Sequence, residues 1–482
     1  MNTKKLLSLI LASLLLLVSC SNKPQDESKA DVGNESAAGK SESAVDEESI
    51  DPEAQDELPA GLKFTGSTFR LLASEGDGSS YISLTQEGLT GDVLNDEKYY
   101  METNTEDRLD IEIEEITHDL WDLRDTYVNT LIMSGDTTFN AVSQWDSHAV
   151  TAATRNHCLP YDNLEYVDLT KKYWGAELSD SLAINGVNYF AIGSFNLGVY
   201  MKLGCIFMNK TLADAHQLEV PFNDVYEGTW TLEKLLSYGA IATNDENGDG
   251  VMDQSDAYTY GCGDTRPLAH QLWVGAGLKA VEQNADGVPE VKLFDNETFY
   301  DVLMLIKENF FGGPNMHDGW DPWDTGRQLI HFAKFDSNIR MRDVDIDYAI
   351  LPFPKYTETQ EEYYAHSNQT TGTYVLSNCV DTALTSATLE ALSAYGYQKV
   401  IPAYLDSTLQ DKTARDPQSK EMIQFIFDRR TIDLGETLLF DQFGDSAISG
   451  TMEKNANIIA SWLQKMAKPS KNALARVLEN LG

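Results

Sequence analysis

The order of apolar and polar positions in the first half of the chain alternates between two periods. Phe69-Arg70-Leu71-Leu72-Ala73 reads as a short buried strand. A helix is expected at about Asn95 to Leu109, opened by Asn95 and Asp96. Ile111 to Ile116 alternates as a strand. Trp121 to Met133 carries apolar residues at helical spacing, with Gly135 placed to end it. Phe139 to Ser143 is a third strand. Strand–helix–strand–helix–strand argues for a parallel sheet with helices on both faces. Right-handed crossovers then put ligands beyond the carboxyl ends of the strands. Two loops qualify: Ser74-Glu75-Gly76-Asp77, and Gln144-Trp145-Asp146-Ser147. A second βα region begins near Tyr200 to Lys210. Further helices are expected at Leu303–Phe311, Ala383–Tyr397, Lys420–Arg430 and Ala456–Lys465. No repeat of fixed period is evident.

The extreme N-terminus follows a different pattern. Lys4 and Lys5 precede an apolar run of 13 residues, Leu6 to Val18. That is short for a membrane span and suited to the apolar core of an export signal. It ends Leu17-Val18-Ser19-Cys20, which resembles a bacterial lipobox, so Cys20 is the expected lipid-attachment site and residues 1–20 the leader. Residues 21–60 hold twelve acidic residues, three lysines and no aromatic residue. Such a segment cannot bury enough apolar surface to offset chain entropy, and it is expected to be a disordered acidic tether. The protein would then sit on the extracellular face of the bacterial cell membrane, held by its lipid.

Charge narrows the partners. The 482 residues include 36 basic and 76 acidic side chains, a net charge of −40. Such a surface repels phosphate backbones, so no nucleic-acid partner is expected. Beyond the leader, four cysteines remain, Cys158, Cys205, Cys262 and Cys379, with no CxxC pair. Neither a zinc ribbon nor a disulfide scaffold is indicated, though one bridge is left open. GxSxG, HExxH and P-loop motifs are missing, and the eight histidines form no i, i+4 pair.

The motifs, taken in order, carry a resemblance. After the lipobox, acidic tether and βαβ region come Asn188 to Gly193 (NYFAIG) and Ile206 to Lys210 (IFMNK). Gly228 to Leu235 (GTWTLEKL) and Asp347 to Lys355 (DYAILPFPK) follow. This order resembles the extracellular solute-binding lipoproteins of ABC importers, in the maltose-binding-protein-like, carbohydrate-binding branch. The resemblance implies an α/β, two-lobed periplasmic-binding-protein-like fold (type II) with a hinge and an interlobe cleft. Residues 61–197 plus about 375–415 would form lobe I, and 198–374 plus about 416–482 lobe II. Crossings are expected near Ser194–Leu203, Thr371–Tyr374 and Arg415–Lys420. The implied function is capture of a sugar or oligosaccharide and delivery to permease subunits, by a monomer and without chemistry. A peptide or other non-sugar solute is the alternative, and a secreted carbohydrate-active enzyme or an adhesion protein lies further off.

Sugars present flat C–H faces and a rim of hydroxyls, which aromatic faces and polar side chains match. The ligand-binding candidates are therefore Glu75, Gln144, Trp145, Asp146, Trp273, Trp320 and Trp323. Relatives often carry an aromatic and an acid at the position of Trp145-Asp146, and the segment holding Trp273 lines their cleft. Trp320-Asp321-Pro322-Trp323-Asp324 is expected as a loop. Trp174 and Trp230 are assigned to packing, and Trp121 and Trp462 to the core.

One local motif stands apart. Asp245, Asn247 and Asp249 occupy positions 1, 3 and 5 of a twelve-residue loop, with Gly250 at 6 for the turn. Val251 offers a carbonyl at 7, and Asp253 and Asp256 lie at 9 and 12. Closely spaced hard oxygens suit a structural Ca²⁺, and Asp in place of Glu at position 12 resembles the dockerin variant.

Overall fold

The computed structural model describes residues 55–75, 83–337, 340–341, 344–410, 416–454 and 457–481. The expected leader, Cys20 and most of the expected tether lie outside them. The strands in chain order are β1 (Ser67–Glu75), β2 (Ile111–Asp119), β3 (Ala141–Trp145), β4 (Cys158–Leu159), β5 (Gly204–Asn209), β6 (Tyr258–Cys262) and β7 (Val281–Gln283). They continue with β8 (Pro289–Val291), β9 (Met316–Asp318), β10 (Gln328–Lys334), β11 (Tyr348–Leu351), β12 (Ala365–His366), β13 (Thr371–Leu376) and β14 (Arg430–Thr431).

Ten of these strands build two sheets. The first runs β2-β1-β3-β13-β4, with β1 parallel to both β2 and β3 and β13 antiparallel. The second runs β11-β5-β10-β6-β9, with β6 parallel to β9 and β10, and β5 antiparallel. Sequence explains which strands are central. The central strands β5, β6 and β13 are buried at every position, as expected when both sheet faces are covered. β2 is an edge strand: Ile111 and Ile113 point inward while Glu112 stays exposed.

The helices end where their caps say. Asp92, rather than Asn95, caps the helix Val93–Leu109, its side chain accepting the Asn95 amide. Gly135 closes Val128–Ser134 in the left-handed conformation, φ 69°. Trp320–Asp324 is not a loop, because Asp321–Asp324 forms a short helix with Pro322 in its first turn, where proline is tolerated.

The folded body starts before residue 61. Leu58 joins the apolar core, and Asp56 and Glu57 pair with Arg108 and Lys171. The end of the expected tether is therefore part of the fold, held by one apolar anchor and two ion pairs. All four described cysteines are free thiols. Among the described residues, no helix is long and apolar enough to cross a membrane.

Segments passing between the sheets meet at one place. Ala191 bridges Thr373 in the first sheet, while Leu203 bridges Ser367 beside the second. Thr371–Tyr374 pairs with β3, so this passage lies just before Thr371. The helix Pro417–Asp428 docks on the second sheet, where Ser419 Oγ accepts the Ile350 amide at 3.2 Å. The final helix, Asn457–Leu481, reaches from Asp295 back to Tyr189, whose hydroxyl donates to the Leu481 carbonyl at 2.6 Å.

Candidate functional site

The run from Ser367 to Thr371 joins the carboxyl ends of both sheets. At one end Leu203, bridged to Ser367, accepts the Phe335 amide just beyond β10. At the other, Thr371 pairs with Trp145, the last residue of β3, and Thr370 accepts the Asp146 amide. The two carboxyl edges therefore adjoin, which is where open α/β sheets take their ligands. The segment Asp433–Asp445 lies between them. Phe440 packs on Trp145 with ring centroids 6.2 Å apart, and Asp445 lies in the field of Lys334 and Asp264 on the second edge.

The first edge presents an aromatic group. Trp121 follows β2, is 47% exposed, and meets Trp145 edge-on at 5.8 Å. His148 sits behind both at 5.3 and 5.1 Å, and the Arg124 guanidinium lies 4.9 Å over the Trp121 ring. Burial, then the Arg124 charge, pushes the His148 imidazole down to about 3, so it is neutral packing for the indoles. Glu75 is exposed at the end of β1, accepting from Thr117 at 3.1 Å.

The second edge presents a polar group around one indole. Trp320 is half-buried just past β9, with His331 tilted against it at 4.2 Å and the Arg340 guanidinium 4.7 Å over its ring. Gly263 makes this packing possible: a Cβ there would lie 1.9 Å from Trp320 Nε1. Asp264 and Arg266 pair beside it, Nη2 to Oδ2 2.7 Å. Burial works to raise the Asp264 carboxyl, but Arg266 outweighs it and leaves it lowered. Asp318 is raised, by burial first and then by Asp264.

Four expected ligand contacts are turned inward instead. Gln144 is fully buried and donates to Tyr374 Oη at 2.9 Å. Asp146 is fully buried and accepts from Thr437 at 2.7 Å. Trp273 packs on His270 and Phe299, and Trp323 on Phe207, His331 and Tyr348; both are 0% exposed. None of the four offers a face to a solute. Glu75 is exposed, and Trp145 and Trp320 are half-buried at the strand ends. Trp174 and Trp230 are buried, as packing residues should be. Trp121 is the converse correction: it sits on a helical pattern, yet it stands exposed at a strand end. Its position directly after β2 was the signal, since the rule that selected Trp145 selects it too. Trp462 is only partly buried.

The Asp245–Asp256 loop is wound on itself. The Asp245 carboxylate accepts the Gly248 and Gly250 amides at 2.7 and 2.8 Å. Asn247 and Asp249 accept those of Asp249 and Val251, each at 2.8 Å. Asp256 is fully buried, one oxygen taking the Glu246 amide and the other that of Asp253. Among the described residues, the one trio of His, Cys or carboxylate groups whose ligand atoms lie within 4.8 Å of one another is elsewhere: His270, His366 and Glu436. The loop's carboxylates are thus held on one turn without converging by themselves.

The sequence matches no family model and no curated protein. Solved structures do match its fold. A cyclo/maltodextrin-binding protein complexed with maltotetraose aligns at TM-score 0.55, with 12% identity over 87% of this chain and 98% of that one. An ABC substrate-binding protein from Listeria monocytogenes in complex with cycloalternan aligns at 0.51, with 11% identity over 86% and 98%. An ABC transporter solute-binding protein from Thermotoga lettingae bound with α-D-tagatose aligns at 0.51, with 12% identity over 86% and 100%. The chain has the two-lobed fold of the ABC solute-binding proteins. Glu75, Trp121 and Trp145 stand at strand ends of the first sheet, and Trp320 at a strand end of the second.

Proposed function

We propose that this chain is the solute-capturing component of an ABC importer and that its solute is a sugar or oligosaccharide. The observation that carries this reading is the placement of indoles at the adjoining carboxyl edges, Trp121 and Trp145 on one and Trp320 on the other. Indole faces stack on sugar C–H surfaces. Glu75, Asp264, Arg266 and Arg340 stand beside them as hydroxyl partners. The three aligned proteins with sugars in hand support the same class. Capture would proceed by closure of the lobes about the passages at Leu203 and Ser367–Thr371, with no bond made or broken, followed by handover to permease subunits. Cys20 would carry the lipid that holds the protein at the extracellular face of the cell membrane, with the acidic segment as spacer. The chain would act as a monomer.

Calorimetric titration with linear and cyclic malto-oligosaccharides tests this. Saturable 1:1 binding that Trp121→Ala weakens at least about tenfold supports it. Binding unchanged in Trp121→Ala and Trp320→Ala would move the site elsewhere.

For the Asp245–Asp256 loop we propose a structural Ca²⁺. Asp245, Asn247, Asp249, the Val251 carbonyl, Asp253 and Asp256 would hold it, neutralising carboxylates crowded on one turn. Its role is lobe stability. Ca²⁺ should raise the melting temperature and EGTA should lower it; a melt indifferent to both contradicts the site.

A further inference from the structure

Beneath the segment between the lobes, two imidazole–carboxylate pairs lie side by side out of reach of water. His270 Nε2 is 2.9 Å from Asp433 Oδ2, and His366 Nε2 is 3.0 Å from Glu436 Oε2. The imidazole centroids are 4.3 Å apart. Accessibility is 0% for His270 and Asp433, 2% for His366 and 1% for Glu436. These side chains come from three separate pieces of chain: the helix Leu268–Gly275, β12, and the turn of helix at Leu434–Leu438.

Three observations single this cluster out. A ring nitrogen from each histidine and a carboxylate oxygen of Glu436 all lie within 4.8 Å of one another. Nδ1 of both imidazoles is buried with no hydrogen-bond partner. His366 Nε2 and Glu436 Oε2, 3.0 Å apart, are close enough to ligate one ion together. Third, negative charge is in excess. Asp146 and Asp445 are also buried here, and both press on Glu436. The cations in their field are Lys279, near Asp433, and Lys334, near Asp445. Buried carboxylates in such a surplus are costly unless something positive joins them.

We propose that His270, His366 and Glu436 form a structural site for a divalent transition ion of the zinc class. Two imidazoles and a carboxylate are the donor set such ions select over Ca²⁺ or Mg²⁺, which prefer oxygen. The ion would fasten the helix Leu268–Gly275, β12 just before the Ser367–Thr371 passage, and the Leu434–Leu438 turn to one another. Its binding free energy would therefore be spent on the geometry of the hinge. Sequence spacing could not show this, because the ligands meet only after the chain has crossed between lobes.

The test uses residues 21–482, freed of any affinity tag and refolded from a metal-free state with Zn²⁺ or Co²⁺. Metal analysis should return about one equivalent of zinc per chain. Zn²⁺ should raise the melting temperature of the metal-free protein. Co²⁺ should give the visible absorption of an imidazole-bound, four-coordinate ion. His270→Gln and His366→Gln should each weaken the ion at least about 100-fold and abolish the cobalt spectrum. Should a variant fail to fold, the cobalt spectrum of the parent chain decides alone. No cobalt spectrum together with no stabilisation by Zn²⁺ would overturn the proposal and leave protons as the counter-charge. Metal retained undiminished by both folded variants would overturn it too, placing the ion elsewhere.

Discussion

Trp121 and Trp323 stand at opposite ends of one scale. Trp121 is 47% exposed, so Trp121→Ala should cost the fold little, under about 1 kcal/mol, while removing a stacking face. Trp323 is sealed among Phe207, His331 and Tyr348, so Trp323→Ala should destabilise by about 3–5 kcal/mol through the cavity it leaves. Denaturant unfolding of the two variants separates the roles; equal losses would contradict them. Gly263→Ala should act between these extremes, pushing Trp320 aside and weakening ligand more than fold.

Buried Glu390 gives a pH-dependent case. It accepts from Tyr173 Oη and, at 2.7 Å, from Trp174 Nε1. Burial pushes its carboxyl up from 4.5 to about 7, against the pull of those two donors. The folded chain therefore binds this proton more tightly than the unfolded chain does. The stabilisation is complete below about pH 4.5 and is lost as the pH rises to about 7. A gap of that size is worth about 3 kcal/mol. Glu390→Gln keeps both partners and cannot ionise. It should match the parent in acid and exceed it in stability at pH 8. A stability difference that does not vary with pH would contradict this.

At the scale of elements, Asp416 ties a helix to the second sheet in two ways. It caps Pro417–Asp428 through the Ser419 amide at 2.7 Å, and its other oxygen meets Lys210 Nζ at 3.0 Å. Asp416→Ala should cost about 1–2 kcal/mol in chemical denaturation; a loss below 0.3 kcal/mol would mean that packing alone holds the helix. Elements of this kind were legible from the chain. β1 and β2 followed from their apolar pattern, and the helix between them from the polar residues that open it. The indoles were not legible to the same degree. Trp145 follows Gln144, and Trp273 lies two residues past Gln271, so both sit near polar side chains in sequence. What separates them is how completely the ring is covered, Trp273 being sealed against His270 and Phe299 while Trp145 stays half-buried, and that is fixed by distant parts of the chain. In Trp320–Asp324 proline and aspartate read as helix breakers, whereas in the fold they open a helix.

For the whole molecule, the surplus of 76 acidic over 36 basic residues has a direct consequence. Salt that screens it should stabilise the body, and a bound cation should do so at far lower concentration. A neutral sugar fits such a surface better than an anionic solute does. The fold was readable as two α/β lobes from the order of its soft motifs, while the adjoining edges became visible only when β3, β10 and the Ser367–Thr371 run were seen together. The most direct measurement is therefore a thermal-shift screen of residues 21–482 against mono- and oligosaccharides, short peptides and amino acids, with Ca²⁺ present. A solute at a hundred times its dissociation constant adds about 2.7 kcal/mol to stability, which such a screen resolves. The account predicts a shift with a glycan that is recovered intact. A shift confined to peptides or amino acids, or recovery of a cleaved glycan, would contradict it.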